Sequence, residues 1–176
     1  MLVHTGGYFI YDLLGMAFLG ILDFDMFLHH LLCIVGMASV LITDVGAGFA
    51  GIALFVTEVS NPPMHFRVIL RMSGLRYSKA YEVAEYTYFV LFFIGRMLIG
   101  HPIVFRILNC GPMSTLAKVF ASGILLQSYL FLYRMYFILR ARLAETRERS
   151  KKGIKIKWFT AMTKEELLKC DFYNKK

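Results

Sequence analysis

Two adjacent histidines, His29 and His30, are the residues of this sequence best suited to chemistry near neutral pH. A histidine side chain titrates at about pH 6.5 and can serve as acid, base or nucleophile. Helix neighbours are rotated by about 100°, so one ring can face a cavity while the other orients it or contacts a neighbouring helix. Alternatively, both lie near a membrane surface, within a turn of Asp25, and cap the helix. Spacing alone leaves both readings open.

Two carboxylates lie within or at the end of apolar segments. Glu58 shares a helix face with Asn61, three residues on, and either orients a histidine, pairs with an arginine or reaches the cytosolic interface. Asp12 lies deep in an apolar segment, beside Tyr11 and one turn from Tyr8. A carboxylate there must be paired or neutral, so we expect Asp12 to be hydrogen-bonded inward.

Two further polar residues lie inside apolar segments. Arg96 either snorkels to the lumenal interface or pairs with an acidic residue in the bundle. Gln127 is most simply an interhelical hydrogen-bond donor. Adjacent histidines that lack a partner four residues away have poor geometry for zinc, so we expect no metal site.

The composition indicates a membrane protein. Of the 176 residues, 57% are hydrophobic and 18% are charged, whereas soluble domains carry about 25% charged residues. The net charge of +8 comes from connecting segments and the C-terminal end, as at the cytosolic edges of membrane helices, and we therefore expect no nucleic-acid partner. The three cysteines form no disulfide framework, and Cys33 is most simply a small packing residue.

Five apolar segments approach the length of about 20 residues that a membrane-spanning helix needs. They cover residues 6–22, 26–43, 47–60, 81–100 and 114–140. The third is short and either ends at Asn61-Pro62-Pro63 or continues as a kinked helix, and the fourth is predicted to end at His101-Pro102. Only helices suit such runs, because lipid cannot satisfy backbone polar groups. The sequence therefore predicts an all-α, multi-pass transmembrane helical bundle.

Basic residues predict the orientation and the domain boundary. One basic cluster follows the third segment and another follows the fifth, so both lie on the same side, which the positive-inside rule makes cytosolic. We predict a transmembrane domain at 1–143 and a basic cytosolic tail at 144–176. Residues 140–157 are most simply a solvated stretch facing headgroups. Thr163 and Glu166 form a capping-box pattern that predicts a short helix in the tail.

An ordered set of motifs resembles the TLC (TRAM/Lag/ceroid-lipofuscinosis) domain family. The motifs are Gly-Tyr-Phe-Ile-Tyr-Asp at 7–12, His-His-Leu-Leu at 29–32, Phe-Val-Thr-Glu-Val-Ser-Asn-Pro at 55–62, and Arg67. The likeness runs from about Gly6 to Arg140 and is strongest to the small TLC domain-containing proteins. Ceramide synthases have a second acidic residue where this chain has Asn61. Family members usually carry further membrane helices before the first motif, so the resemblance implies that N-terminal helices are missing here.

The resemblance implies a polar-lined central cavity that lipids can enter, and a role in lipid metabolism or membrane lipid homeostasis. If the protein is an enzyme, it is a membrane acyltransferase with acyl-CoA as co-substrate and no bound cofactor. His29 or His30 would then be the base or acyl acceptor, Glu58 would orient it, and Arg67 or Arg71 would attract CoA phosphates. The alternative is a non-catalytic lipid-binding, lipid-trafficking or scaffold protein. The predicted cavity-lining residues are Tyr8, Tyr11, Asp12, Ser60, Asn61, Arg67 and Arg96.

The resemblance also sets expectations about partners and location. Membrane lipids are the expected partners, together with a membrane protein or a second copy of the chain. The endoplasmic reticulum is the family default, with the C-terminus cytosolic. The chain ends Tyr173-Asn174-Lys175-Lys176, which does not match the KDEL retention signal.

Overall fold

The computed structural model describes residues 2–20 and 22–170, and the described part is helical without strands. The predicted all-α class is therefore confirmed. The α-helices of this part are α1 Leu2–Phe18, α2 Phe24–Thr43, α3 Ala47–Glu58, α4 Asn61–Met72, α5 Lys79–Phe92, α6 Gly100–Asn109, α7 Thr115–Lys151 and α8 Lys164–Leu168; a π-helical segment, Phe93–Ile99, joins α5 to α6. The end of the tail, Tyr173–Lys176, lies outside the described residues.

Three helices of the described part are long and apolar enough to cross a membrane. They are Phe24–Thr43, the continuous helix Lys79–Asn109, and Thr115–Lys151. The first and third predicted segments fall in α1 and α3, which have 17 and 12 residues against the roughly 20 that spanning requires. Each of the five predicted segments thus overlaps a helix, and three of those helices reach spanning length.

The ends of α2 follow from local sequence. Asp23 caps its start, because the Asp23 carboxylate accepts a hydrogen bond from the backbone N–H of Met26 at 2.8 Å. Asp44 ends it in the left-handed conformation with φ of 53°, which aspartate tolerates better than most residues. Gly46 follows with φ of 87°, a value that favours glycine.

The prediction that the fourth segment ends at His101-Pro102 is wrong. The helix continues to Asn109, and Pro102 lies in the first turn of α6, which begins at Gly100. A proline inside a continuous helix removes one backbone N–H donor and its ring crowds the preceding turn. The helix does not end at the proline; its hydrogen-bonding pattern becomes π-helical just before it, over Phe93–Ile99.

The described part of the predicted tail contains helical structure. Helix α7 continues to Lys151, past the predicted boundary at 143/144. The predicted capping box is present: Thr163 accepts from the N–H of Glu166 at 3.3 Å, and the Glu166 carboxylate accepts from the N–H of Thr163 at 2.9 Å. The bond from the Thr163 backbone holds the pKa of the Glu166 carboxyl below its ordinary value.

The chain forms two compact units, and each is described by itself. The first comprises Met1–Glu58 and Ile94–Leu130, and the second comprises Val59–Phe93 and Phe131–Lys176.

In the first unit, α1, α2 and α3 share an apolar core. Its buried members include Phe9, Met37, Val40 and Leu54. Helix α7 approaches α2 closely through small residues: a Cβ added at Gly123 would lie 3.1 Å from a methyl of Leu32. The core therefore packs helices from distant parts of the sequence against one another.

In the second unit, α4 packs on α5 around a smaller core formed by Leu70, Ala80, Tyr81 and Ala84. The segment after α7 folds back onto the start of α5. The backbone N–H of Lys79 donates to the carbonyl of Lys157 at 2.8 Å, and that of Ala80 donates to the carbonyl of Trp158 at 3.1 Å. These bonds satisfy helix-start donors that otherwise lack a partner.

Replacing Gly95 by alanine is expected to destabilise the first unit by about 1–3 kcal/mol through overpacking. An added Cβ would lie 2.5 Å from the backbone carbonyl oxygen of Val56, so α3 and the π-helical segment would have to separate. Thermal unfolding in detergent micelles measures the effect. The control is Gly51→Ala on α3, where an added Cβ meets nothing within 4 Å; it should be neutral or stabilising by up to about 1 kcal/mol. Equal midpoints for the two variants would contradict the prediction.

Candidate functional site

The first unit contains a cavity of about 110 Å³ between α2, α3, the α6 region and α7. A single water needs about 10–15 Å³ measured in this way, so the space accepts a ligand group larger than water. Most of the wall is apolar and built from small and branched side chains, among them Gly36, Val40, Ala50, Ile103 and Ala117. Such a wall suits a hydrocarbon chain.

Polar groups line the same cavity where α2 begins and α3 ends. They are His29, Thr57, Arg96 and Ser128. The Arg96 guanidinium is buried and donates weakly, at 3.5 Å each, to the Ser128 hydroxyl and the Thr57 carbonyl. It also lies close enough to His29 to interact with it electrostatically. The polar groups are thus gathered together rather than scattered along the wall.

The cavity is elongated along α2. The lining runs from His29 to Val40 on this helix, a rise of about 16 Å. The far end is lined by Gly46, Ile107 and Met113. The cavity is therefore apolar over most of its length and polar at one end, as an amphipathic ligand requires.

The two histidines of the pair face different neighbours. His29 lines the cavity. His30 is 2% exposed, and its Nε2 lies 2.9 Å from a carboxylate oxygen of Asp12 on α1, while its Nδ1 lies 2.8 Å from the carbonyl of Met26. Since a carbonyl only accepts, Nδ1 carries a proton, and the bond between Nε2 and Asp12 shares one further proton. The pair is split as the rotation between helix neighbours predicts.

Asp12→Leu is expected to destabilise the first unit by about 1–3 kcal/mol, because it leaves His30 Nε2 buried without its partner. Asp12→Asn should cost clearly less, since the asparagine amide can donate to Nε2 while Nδ1 keeps its bond to Met26. Thermal unfolding of the purified variants separates the two. Equal losses for Leu and Asn would mean that the hydrogen bond is not what stabilises this contact.

The other predicted site residues of the first unit lie in varied places. Tyr8 is half-exposed and Tyr11 is 77% exposed, and neither is among the cavity-lining residues. Glu58 ends α3 with one carboxylate oxygen buried. Of the predicted set, the cavity therefore brings together His29 and Arg96.

Ser60, Asn61 and Arg67 belong to the second unit. Ser60 is buried, and Asn61 begins α4. Arg67, predicted to attract CoA phosphates, donates to the buried carboxylate of Glu85 at 3.1 Å. Its charge is engaged within the protein.

The prediction that residues 140–157 are a solvated stretch is wrong for the face of α7 that carries two arginines. The side chain of Arg142 is 13% exposed and its Nε lies 2.6 Å from Glu85. Arg149 is buried and pairs with Glu82. The spacing of Arg142 and Arg149 could have indicated a shared buried face, because residues seven apart lie on one face of a helix.

Sequence reasoning also missed the role of Cys33, Thr57 and Ser128 as cavity-lining residues. Cys33 lies four residues after His29, and its Sγ is 3.8 Å from His29 Nε2. The i, i+4 spacing places two such residues on one helix face and could have indicated the pair. Within the described ranges, no group of three or more histidine, cysteine or carboxylate side chains could hold a metal ion.

Comparison with known proteins decides the family. The family model of the TLC domain matches residues 1–140. The chain belongs to the TLC domain family. Members are generally membrane proteins linked to lipid metabolism, which agrees with the three helices of spanning length. The predicted resemblance is thereby confirmed.

Two curated relatives carry the family name. TLC domain-containing protein 2 of Danio rerio is 37% identical over 79 residues, which cover 44% of this chain and 32% of the relative. TLC domain-containing protein 1 of Gallus gallus is 29% identical over 99 residues, covering 55% of this chain and 39% of the relative. The chain thus matches 32% to 39% of the length of these relatives. No solved structure matches it.

Proposed function

We propose that this TLC domain protein binds a membrane lipid in the cavity of its first unit and acts in membrane lipid metabolism or homeostasis. The observation that carries the proposal is the uneven distribution of polarity in the cavity. The wall is apolar along α2 as far as Val40, whereas His29, Thr57, Arg96 and Ser128 are gathered at one end. Part of an acyl chain lies along the wall and the polar part of the lipid meets the polar end.

Arg96 determines which lipid groups suit the polar end. A guanidinium carries only donors and a permanent positive charge, so it recognises oxygen acceptors such as a carbonyl, a carboxylate or a phosphate. The hydroxyl of Ser128 and the ring of His29 supply further polar contacts at this end. A lipid with a carbonyl or anionic group beside its acyl chain therefore fits better than a plain hydrocarbon.

Acyl transfer from acyl-CoA is the catalytic form of this proposal. His29 faces the cavity and can take a proton from the acceptor lipid, whereas His30 is held by Asp12 and Met26. A positioned histidine base contributes about 10²–10⁴-fold to a rate. The non-catalytic alternative, a lipid-binding or lipid-trafficking protein, is supported by Asn61, which stands where ceramide synthases carry an acidic residue.

Location and orientation belong to the same proposal. We infer residence in the endoplasmic reticulum, the family default, with the C-terminus cytosolic. The basic residues beyond the spanning part of α7 support the orientation. Glycosylation acceptor sites placed in the loop between α6 and α7, and at the C-terminus, test the orientation. Only the loop site should be glycosylated. Glycosylation of the C-terminal site would show that the protein has the opposite orientation.

Lipid retention tests the binding itself. The protein is purified in mild detergent, and its lipids are extracted and compared with those of the source membrane. One acyl-bearing lipid class should be enriched with the wild-type protein, and Arg96→Leu should lose that enrichment. Because Arg96 is buried, a thermal unfolding curve must first show that the variant is folded. If the lipids extracted from the purified protein have the same proportions as those of the source membrane, the proposal is wrong.

A further inference from the structure

A cysteine and a histidine form a pair on the wall of the cavity. Cys33 and His29 are one turn apart on α2 and both line the cavity. The Sγ of Cys33 lies 3.8 Å from Nε2 of His29, within reach of a long S–H···N hydrogen bond. A thiol with an adjacent imidazole is the arrangement that activates a nucleophilic cysteine.

A third side chain accompanies the pair. His29 is 9% exposed, and the side chain of Gln127 interacts with its ring. If Nε2 accepts the thiol proton, Nδ1 carries the ring proton. Gln127 is then a polar partner that can orient the imidazole, as a base that activates a nucleophile requires.

We propose that Cys33 is an acyl-accepting nucleophile that takes an acyl chain from an acyl thioester bound in the cavity, with His29 as its base. This rests on the proposed lipid-binding function of the cavity. The bond from Cys33 Sγ to the acyl carbon forms and the carbon–sulfur bond of the donor breaks. His29 Nε2 takes the thiol proton and returns it to the departing thiolate, so no oxidant or reductant is needed.

The acyl group then passes to a second acceptor. A lipid alcohol or amine attacks the carbonyl of S-acyl-Cys33, its oxygen or nitrogen bonds to the acyl carbon, and the bond to Sγ breaks. His29 takes the proton of the attacking group and returns it to the Cys33 thiolate. The apolar wall favours this order of events, because it excludes the water that would hydrolyse the intermediate.

The surroundings distinguish Cys33 from the other two thiols of the chain. Cys110 follows α6 and Cys170 follows α8, where its thiol donates to the carbonyl of Glu166 at 3.5 Å. Neither lines the cavity. They are therefore natural controls for acylation that depends only on a thiol being present.

The test is covalent labelling of the purified full chain with a long-chain acyl-CoA, followed by intact-mass measurement and peptide mapping. Wild-type protein should gain one acyl group on Cys33, which neutral hydroxylamine removes. Cys33→Ser should lose the hydroxylamine-sensitive adduct, and Cys110→Ser and Cys170→Ser should keep it. His29→Asn should slow labelling of Cys33 at least about tenfold, given the usual contribution of a histidine base.

The outcomes separate this inference from the proposed function. Enriched lipid in the purified wild-type protein with no adduct on Cys33 would overturn the inference and leave lipid binding standing. Equal labelling of all three cysteines, or labelling unaffected by His29→Asn, would also overturn it as adventitious acylation. If neither enriched lipid nor an adduct is found, both ideas fail. Because peptide mapping is done on the wild-type protein, the test stands even where a variant folds poorly.

Discussion

Replacing Glu85 by glutamine is expected to destabilise the second unit by about 3–5 kcal/mol, the usual cost of breaking a buried ion pair. The side chain of Glu85 is 3% exposed and pairs with both Arg67 and Arg142. It also accepts a hydrogen bond from the Tyr81 hydroxyl at 3.2 Å. Glutamine keeps the size but removes the charge, so two arginines are left near each other with less compensation.

The single tryptophan of the chain makes the measurement specific to this unit. Trp158 packs beneath the Lys79 ammonium at 4.8 Å, so its fluorescence reports unfolding of the second unit in detergent. The matched control is Glu148→Gln, which removes a more exposed i, i+4 pair with Lys152 and should cost about 0.3–0.5 kcal/mol. If the two variants unfold alike, the buried network does not stabilise the unit.

Filling the cavity should remove bound lipid without unfolding the protein. Ala53 on α3 lines the cavity, and a phenyl ring at this position would occupy the space assigned to the acyl chain. Overpacking a filled core costs about 1–3 kcal/mol, but a ring that enters empty space displaces no side chain. Ala53→Phe is therefore expected to keep its unfolding temperature within a few degrees and to lose most of the enriched lipid.

The matched control for this variant is Ala17→Phe, which adds the same ring on an exposed position of α1. It should keep both its fold and its lipid. Mass spectrometry of extracted lipid, normalised to protein, measures both variants side by side. Retention of the wild-type amount of lipid by folded Ala53→Phe would show that the cavity is not where the lipid binds.

The helices and the split of the histidine pair could be predicted because both follow from local rules. Long apolar runs must be helical in lipid, and residues 26–43 correspond closely to α2, Phe24–Thr43. A carboxylate within an apolar segment requires a partner, and Asp12 has one in His30. The rotation between adjacent helix residues then leaves His29 for the cavity.

Features that depend on tertiary contacts could not be predicted in the same way. The basic sequence around Arg142 and Arg149 looks solvated until α5 is known to supply Glu85 and Glu82 as partners. The helix continues through Pro102 because the irregularity is taken up by the π-helical segment before it. Cys33 reads as a packing residue until the cavity and its contact with His29 are seen.

Quantitative lipidomics on membranes from cells that express the protein tests the central claim, that the protein changes membrane lipid composition through the polar end of its cavity. Wild type is compared at matched expression with His29→Ala and with His101→Ala, a change to a histidine that does not line the cavity. One lipid class should shift with wild type and with His101→Ala, and His29→Ala should abolish the shift. If His29→Ala gives the wild-type profile, or if wild type changes nothing, the claim is contradicted.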